Sequence, residues 1–233
     1  MNYFYQPDIT KGQLFLEGEE FTHCTRVLRN AIGSRIGILD GIGGMYEVEL
    51  TNISGKKCEF SILSESKKPS KDFYHHIALS PTKNIDRTEW FVEKACEMGV
   101  DEISFLLTKN SERNKLRIDR LEKKAISALK QSKSGYITKV NELVKFKNFL
   151  ENLDRSFARH IAYVEEGLPY YGKILTPATR VLTLIGPEGD FDPSEVEMAL
   201  SKGFEKISLG SNTLRTETAG LVACQFVNAA NHY

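Results

Sequence analysis

The stretch RVLTLIGPEGDFDPSEVEMALSKGFEKISLG, residues 180–210, contains the order of elements that decides the fold class. Residues 180–185 form a mostly apolar run that predicts a buried strand, and a Gly-Pro-Glu-Gly turn follows it. Asp192 as N-cap, Pro193 at the first helical position and Glu195 two residues later predict a helix. A second strand, EKISLG, comes next. Strand, helix and strand in this order predict an α/β domain with a mostly parallel sheet.

The N-terminal part of the chain has a different pattern. Residues 1–64 contain several short runs of aromatic and branched residues, which predict strands of a small barrel or sandwich. We expect a hairpin turn at Gly41–Gly44 and one helix over residues 19–30. The polar, proline-containing stretch 64–71 predicts a linker.

Strands and helices alternate from residue 72 onward, so the predicted domains span residues 1–68 and 72–233. The helix that contains EWFVEKACEMG is predicted to begin at Asp86 as N-cap, with Glu89 completing a capping box. Trp90 and Phe91 on this helix are predicted core residues.

Composition limits the class of protein. Lys plus Arg and Asp plus Glu each number 31 among 233 residues, so the overall charge does not suggest a nucleic-acid partner. The four scattered cysteines fit reduced, buried thiols, and no apolar run is long enough to span a membrane. We therefore expect a cytoplasmic protein without a membrane partner. No His, Cys and Asp cluster has metal-ligand spacing, so no metal site is predicted; adjacent His75 and His76 point to opposite faces of a strand.

The turn at residues 186–189 lacks the features of common phosphate loops. It has no lysine, and Glu188, Asp190 and Asp192 would repel a triphosphate. It also lacks the G-x-G-x-x-G pattern of dinucleotide loops. This composition favours a neutral or cationic ligand held by main-chain groups, although in isolation a tight turn followed by a well-capped helix is the better explanation.

A second glycine loop strengthens the ligand hypothesis. LGSNTLRTETAG, residues 209–220, also follows a strand and precedes a helix, and loops of parallel strands gather at one sheet edge. Arg215 and Glu217 stand where the last helix begins, within reach of a ligand in that loop. The alternative is a surface ion pair of little energetic value.

Two further features indicate partners. Residues 109–133 hold nine Lys or Arg and three Asp or Glu, a local excess that indicates contact with a phosphate backbone; an ordinary solvated helix face with i, i+4 pairs is the alternative. Arg26, Arg29 and Arg35 supply a second basic group. The last helix is apolar on more than one face, so it is either deep within its own domain or at a subunit interface.

Several stretches along the chain resemble the RsmE family of the SPOUT superfamily. HCTRVLRNAIGSRIGILDGIGGMYEVEL (23–50) and TEWFVEKACEMGVDEISFLLTKNSER (88–113) are similar to its N-terminal and central motifs. LIGPEGDF (184–191) and LGSNTLRTETA (209–219) are similar to its two cofactor loops and carry the most specific signal.

The resemblance implies a PUA-like β-barrel that binds RNA, followed by a SPOUT-type α/β methyltransferase domain with a C-terminal trefoil knot, in a homodimer. It implies methylation of N3 of a specific uridine in 16S rRNA of the small ribosomal subunit with S-adenosyl-L-methionine, whose sulfonium tolerates acidic neighbours. The implied catalytic residues are Arg215, which would stabilise a uracil anion, and Glu217 as a base. The cofactor-binding set is Leu184, Ile185, Gly186, Pro187, Glu188, Gly189, Ser208, Leu209, Gly210, Asn212, Thr213 and Leu214. The RNA-binding set is Arg26, Arg29, Lys83, Arg113, Lys115, Arg117, Gln131 and Lys133.

The sequence departs from the family pattern at two places. Asp190 stands where the family more often has glycine, and Lys133 or Lys139 must replace an arginine that usually follows Gln131 and Ser132. A non-catalytic RNA-binding assembly factor is the alternative function. A nucleotide-phosphate enzyme is disfavoured by the acidic, lysine-free turn.

Overall fold

A computed structural model describes residues 1–154 and 156–232. Its strands and helices, in chain order, are β1 Tyr3–Tyr5, β2 Phe15–Glu17, α1 Gly18–Thr22, β3 Arg35–Leu39, β4 Gly44–Ser54, β5 Lys57–Lys67, β6 Tyr74–Leu79, α2 Ile85–Glu97, β7 Glu102–Leu107, α3 Ile118–Ser132, β8 Lys139–Lys145, α4 Phe146–Glu151, β9 Ala158–Ala162, α5 Tyr171–Ile174, β10 Arg180–Ile185, α6 Pro193–Ser201, β11 Glu205–Ile207 and α7 Thr216–His232.

The chain divides into two compact units. Unit 1 comprises residues 1–70 and 126–137, and unit 2 comprises residues 71–125 and 138–233. The predicted division was a single cut between residues 68 and 72, and it did not anticipate that residues 126–137 pack with the N-terminal strands. Main-chain and side-chain hydrogen bonds hold this segment, including Gly43 N to Gly135 O at 2.9 Å and Tyr136 Oη to Lys68 O at 3.0 Å.

Unit 1 is built on a five-stranded sheet in the order β1-β3-β4-β5-β2. Its two edge strands approach each other, because the Gln6 side chain after β1 donates to the carbonyl of Phe15 in β2 at 2.6 Å. A core that includes Phe4, Ile38 and Val48 fills the interior. The β-rich prediction is therefore confirmed.

Local predictions in unit 1 had mixed outcomes. The hairpin turn at Gly41–Gly44 is confirmed: it connects β3 to β4, and Asp40 Oδ1 accepts from the amides of Ile42 and Gly44 at 2.8 Å each. The helix predicted over 19–30 is shorter, since α1 gives way to a π-helical turn at His23–Val27. The predicted linker at 64–71 was placed too early, because β5 pairs with β4 as far as Lys67.

Unit 2 contains a parallel six-stranded sheet in the order β11-β9-β10-β6-β7-β8, so the α/β prediction is confirmed. The central strands are buried because helices cover the sheet, as the mostly apolar sequence of residues 181–185 requires. The carboxyl ends of β9, β10 and β11 meet at one edge, since these three strands are neighbours. The trefoil knot stays a prediction.

The two predicted N-caps had opposite outcomes. Around α6, Asp192 accepts from Ser194 N at 3.0 Å and Glu195 accepts from Asp192 N at 3.0 Å, as expected. Asp86 is not the N-cap of α2, because the helix begins earlier and the Asn84 side chain accepts from Asp86 N instead. Asparagine is as good an N-cap as aspartate, so both sites satisfied the rule and the upstream residue is used.

The last helix, α7, packs closely on α2. A Cβ added to Gly220 would lie 2.5 Å from Cε2 of Phe91, so this glycine lets the two helices approach. Phe91 is buried as predicted, whereas Trp90 is 45% exposed and does not belong to the core. Ala223 and Val227 of α7 are buried. Among the described residues, no helix is both long and apolar enough to cross a lipid bilayer.

A buried histidine in unit 2 predicts acid sensitivity. His75 is fully buried, neither ring nitrogen has a hydrogen-bond partner among the described residues, and burial beside Lys71 and His76 holds its pKa well below the ordinary value. Below about pH 6.5 the unfolded chain therefore binds a proton that the folded chain does not. We expect the free energy of unfolding to fall between about pH 7 and pH 5, by up to about 1.4 kcal/mol per pH unit for this residue.

Urea unfolding of a His75→Leu variant across this pH range measures the contribution. The variant should lose less stability on acidification than the parent. An identical slope in the parent and His75→Leu would contradict the assignment.

Candidate functional site

A pocket of about 670 Å³ lies at the edge of the unit 2 sheet where β9, β10 and β11 end. Three loops surround it: residues 162–168 after β9, 185–190 after β10, and 208–216 at the start of α7. Parallel strands place their following loops together at this edge, which is where open α/β sheets bind ligands. The two glycine loops singled out in the sequence are thus brought together.

Most of the predicted cofactor residues line this pocket. They are Ile185, Gly186, Pro187, Glu188, Ser208, Leu209, Gly210, Asn212, Thr213 and Leu214. Leu184 and Gly189 do not line it. Leu184 is fully buried within β10, and Gly189 lies beside Asn110, whose side-chain amide donates to the Gly189 carbonyl at 3.1 Å.

Sequence reasoning missed the third wall of the pocket. Residues 162–168 lie at and after the end of β9 and contain the exposed pair Glu165 and Glu166 before Gly167. The sequence signal for this third wall was a turn after a strand, the same signal that marked the other two loops. It could not be used because the sequence does not reveal that β9 lies between β10 and β11.

Hydrogen bonds within unit 2 hold the turn after β10. Asp190 N donates to Pro187 O at 3.0 Å, and the Glu188 carboxylate accepts from Lys83 N at 2.9 Å. In the loop after β11, Gly210 has a φ of 148° and nothing within 4 Å of an added Cβ. Glycine is needed here for backbone conformation, and the Ser208 hydroxyl accepts from its amide at 3.3 Å and donates to its carbonyl at 3.0 Å.

The structure separates the two predicted catalytic residues. Arg215 lines the pocket, and in the described part of the chain its guanidinium has no hydrogen-bond or ion-pair partner. Glu217 does not line the pocket; it is 6% exposed, and Oε1 lies 3.8 Å from Nε of Arg87 on α2. The cation is therefore free to meet a substrate, whereas the carboxylate is buried between two helices, and its Oε2 has no hydrogen-bond partner among the described residues.

Several basic residues of segment 109–133 are engaged internally. Arg113 donates to the carbonyls of Thr82 and Lys83 at 3.1 and 2.5 Å, which braces the loop after β6. Arg120 lies 2.7 Å from the buried carboxylate of Glu89. The positive surplus of the segment thus overstates the number of cations available to a partner.

The remaining predicted RNA residues are exposed. In unit 2, Lys83 pairs with Glu112 at 2.7 Å and Arg117 with Asp119 at 2.7 Å, and both pairs are open to solvent. Lys115 is exposed as well.

In unit 1 the exposed predicted residues are Arg26, Arg29, Gln131 and Lys133. Arg29 and Lys133 have positive φ values of 55° and 52°, and the Lys133 ammonium lies 5.4 Å from the centroid of the Tyr3 ring. An ion pair between Lys130 and Glu20 at 2.5 Å joins the end of α3 to α1. The exposed cations near these two helices therefore belong to the same unit.

Metal ligands are not clustered in this structure. Within residues 1–154 and 156–232, no group of three or more His, Cys, Asp or Glu side chains could hold an ion. All four cysteines are free and buried.

Comparison with known proteins connects this architecture to RNA modification. The RNA methyltransferase domain family matches residues 69–228, and the RNA methyltransferase PUA domain family matches residues 16–63. The ribosomal RNA small subunit methyltransferase E of Buchnera aphidicola subsp. Acyrthosiphon pisum is 28% identical over 94% of this chain and 89% of its own length.

Two solved structures share the whole architecture. A probable rRNA-methyltransferase from Porphyromonas gingivalis is 39% identical with a TM-score of 0.90, covering 100% of this chain and 99% of the other. A ribosomal RNA small subunit methyltransferase E from Neisseria gonorrhoeae bound to S-adenosyl methionine is 26% identical with a TM-score of 0.86, covering 98% and 97%.

Proposed function

Since the chain belongs to the RNA methyltransferase family, with ribosomal RNA small subunit methyltransferase E among its relatives, we propose that it methylates 16S rRNA with S-adenosyl-L-methionine. The proposed target atom is N3 of one specific uridine of the small ribosomal subunit. Its RNA substrate is that of the ribosome, so the proposed compartment is the cytoplasm.

The composition of the pocket is the observation that carries the proposal. Its walls contain no lysine, three glutamates contribute to them, and Arg215 is the single cationic side chain among the lining residues. A phosphate ligand would meet carboxylates without a balancing ammonium group. A sulfonium with a neutral adenine and ribose suits such walls, and the exposed loop at residues 210–213 offers polar groups to it. The relative from Neisseria gonorrhoeae has S-adenosyl methionine bound.

The chain's own residues position the reactants and handle charge. The cofactor supplies an electrophilic methyl group, and in-line transfer depends on alignment that the three loops provide. The N3 proton of uracil must leave, which places negative charge on the base. We propose that the free guanidinium of Arg215 stabilises that charge. Glu217 loses support as the base, because it faces Arg87 rather than the pocket.

RNA contact is proposed for each unit separately. Unit 1 would contribute Arg26, Arg29, Gln131 and Lys133, and unit 2 would contribute Lys83, Lys115 and Arg117. Arg113 acts indirectly through the loop that it braces. Exposed cations of this kind neutralise phosphates with little sequence preference, so the uridine itself must be selected at the pocket.

A homodimer is proposed from α7. Leu221, Val222, Phe226, Ala229 and Ala230 are only half-buried although the helix is strongly apolar, and such residues are commonly covered by a second copy. Light scattering coupled to size exclusion measures the mass. A monomer at micromolar concentration would contradict the proposal.

Mass mapping of 16S rRNA tests the function. Deletion of the gene should remove one uridine methyl mark, and purified protein with S-adenosyl-L-methionine should restore it on small subunits from the deletion strain. If the mark persists in the deletion strain while the protein still binds the RNA, the proposal fails and a non-catalytic assembly factor is the better description.

A further inference from the structure

Asp190 has an unusual backbone conformation at the wall of the pocket. Its φ is 57°, in the left-handed region that glycine enters freely and other residues enter at a cost. Aspartate is among the residues that tolerate this region best. Glycine would adopt this backbone conformation without cost, so the presence of the aspartate side chain needs another explanation.

The carboxylate of Asp190 joins two of the three pocket loops. Oδ2 accepts from the amide of Val164 in the loop after β9 at 3.1 Å, and Oδ1 accepts from the amide of Phe191 at 2.8 Å. Both Val164 and Asp190 line the pocket. The amide of Val164 lies beyond the end of β9, so this side chain supplies an anchor where the strand ladder has ended.

The same carboxylate packs against the turn after β10. A Cβ added to Gly186 would lie 3.0 Å from Oδ1 of Asp190, so there is no free space between them. From outside, Asn110 Nδ2 donates to the Asp190 carbonyl at 3.0 Å. Asp190 is thus fixed by a hydrogen bond to its main-chain carbonyl, while its side chain holds the neighbouring loop.

We propose that Asp190 is a positioning residue that sets the width of the cofactor pocket by fastening the loop after β9 to the turn after β10. The inference rests on the proposed function. The side chain acts through Val164, and an unfastened loop would have to be ordered by the cofactor itself, which costs binding free energy. Burial raises the pKa of the Asp190 carboxyl, while its two amide donors favour the charged form.

Calorimetry with S-adenosyl-L-methionine on two variants tests the inference. Asp190→Gly relieves the positive φ but removes both hydrogen bonds, so thermal stability should hold while the dissociation constant rises about tenfold. Asp190→Asn tolerates the backbone and retains one acceptor oxygen, so its affinity should fall between those of glycine and the parent. At saturating cofactor, kcat should stay within about twofold and the KM for the cofactor should rise in parallel with the dissociation constant.

The matched control is Asp192→Asn, two residues along, which does not line the pocket and keeps its capping oxygen. Its cofactor affinity should equal that of the parent. If Asp190→Gly binds the cofactor as tightly as the parent, Asp190 only fills a left-handed position and the inference is wrong. If the parent protein itself does not bind the cofactor, the proposed function fails, which is a separate result from the first.

Discussion

Replacement of Arg215 by alanine is expected to lower kcat for methyl transfer about a hundredfold or more, while the dissociation constant of S-adenosyl-L-methionine changes by less than about threefold. The guanidinium lines the pocket and has no partner among the described residues, so it is available to the charge that develops on the base. Its loss removes an interaction made mainly in the transition state. Steady-state kinetics on small subunits that lack the methyl mark measures kcat, and calorimetry measures cofactor affinity.

Two companion variants make the Arg215 result specific. Arg215→Lys keeps the charge but not the planar fork, and it should recover only part of the rate. Glu217→Gln keeps the size of a side chain that faces Arg87 and should change kcat far less than Arg215→Ala. If Glu217→Gln is the slower enzyme, the carboxylate is the proton acceptor after all and must reach the substrate in a different arrangement.

Substitution of Gly186 by aspartate is expected to weaken S-adenosyl-L-methionine binding by about a hundredfold or more. A Cβ at this position already lies 3.0 Å from Oδ1 of Asp190 and 3.2 Å from the amide nitrogen of Phe191. The new carboxylate would also meet that of Asp190, and like charges at this distance repel. The turn must shift, and the pocket shifts with it. Calorimetry reports the affinity, and thermal unfolding reports whether the fold is retained.

Gly189, three residues along the same turn, offers the control. A Cβ there would lie no closer than 3.5 Å to any other group, the nearest being Cβ of Asn110, and φ is not in the left-handed region. Gly189→Ala should therefore bind the cofactor nearly as well as the parent. Equal losses at Gly186 and Gly189 would mean that the turn tolerates no side chain anywhere, which contradicts the steric explanation.

The sequence was most informative where a local rule had one solution. The cap at Asp192 and Glu195 and the strand at residues 180–185 were correct because each depends only on near neighbours. At α2 two residues satisfied the capping rule, and Asn84 was used in place of Asp86. Trp90 was assigned to the core by helical spacing, although only the adjacent Phe91 faces it.

Long-range placement accounts for what the sequence did not reveal. Strand order brings β9 between β10 and β11 and so adds residues 162–168 to the pocket, and no local pattern encodes that order. Strand β8, Lys139–Lys145, was not predicted, because the apolar runs within it are short. Arg215 and Glu217 are two residues apart and were expected to act together. Arg215 precedes α7, which begins at Thr216, whereas Glu217 lies in the first turn of the helix and faces α2.

The division of α3 between the two units has a consequence for how the chain is synthesised and folds. Because residues 126–137 pack with the N-terminal strands, unit 1 is incomplete on the ribosome until residue 137 has left the exit tunnel, by which time residues 71–125, about a third of unit 2, have already emerged. The N-terminal unit therefore cannot finish first in isolation. An expression fragment ending at residue 70 would lack this segment, and one beginning at residue 71 would carry it without its packing partners.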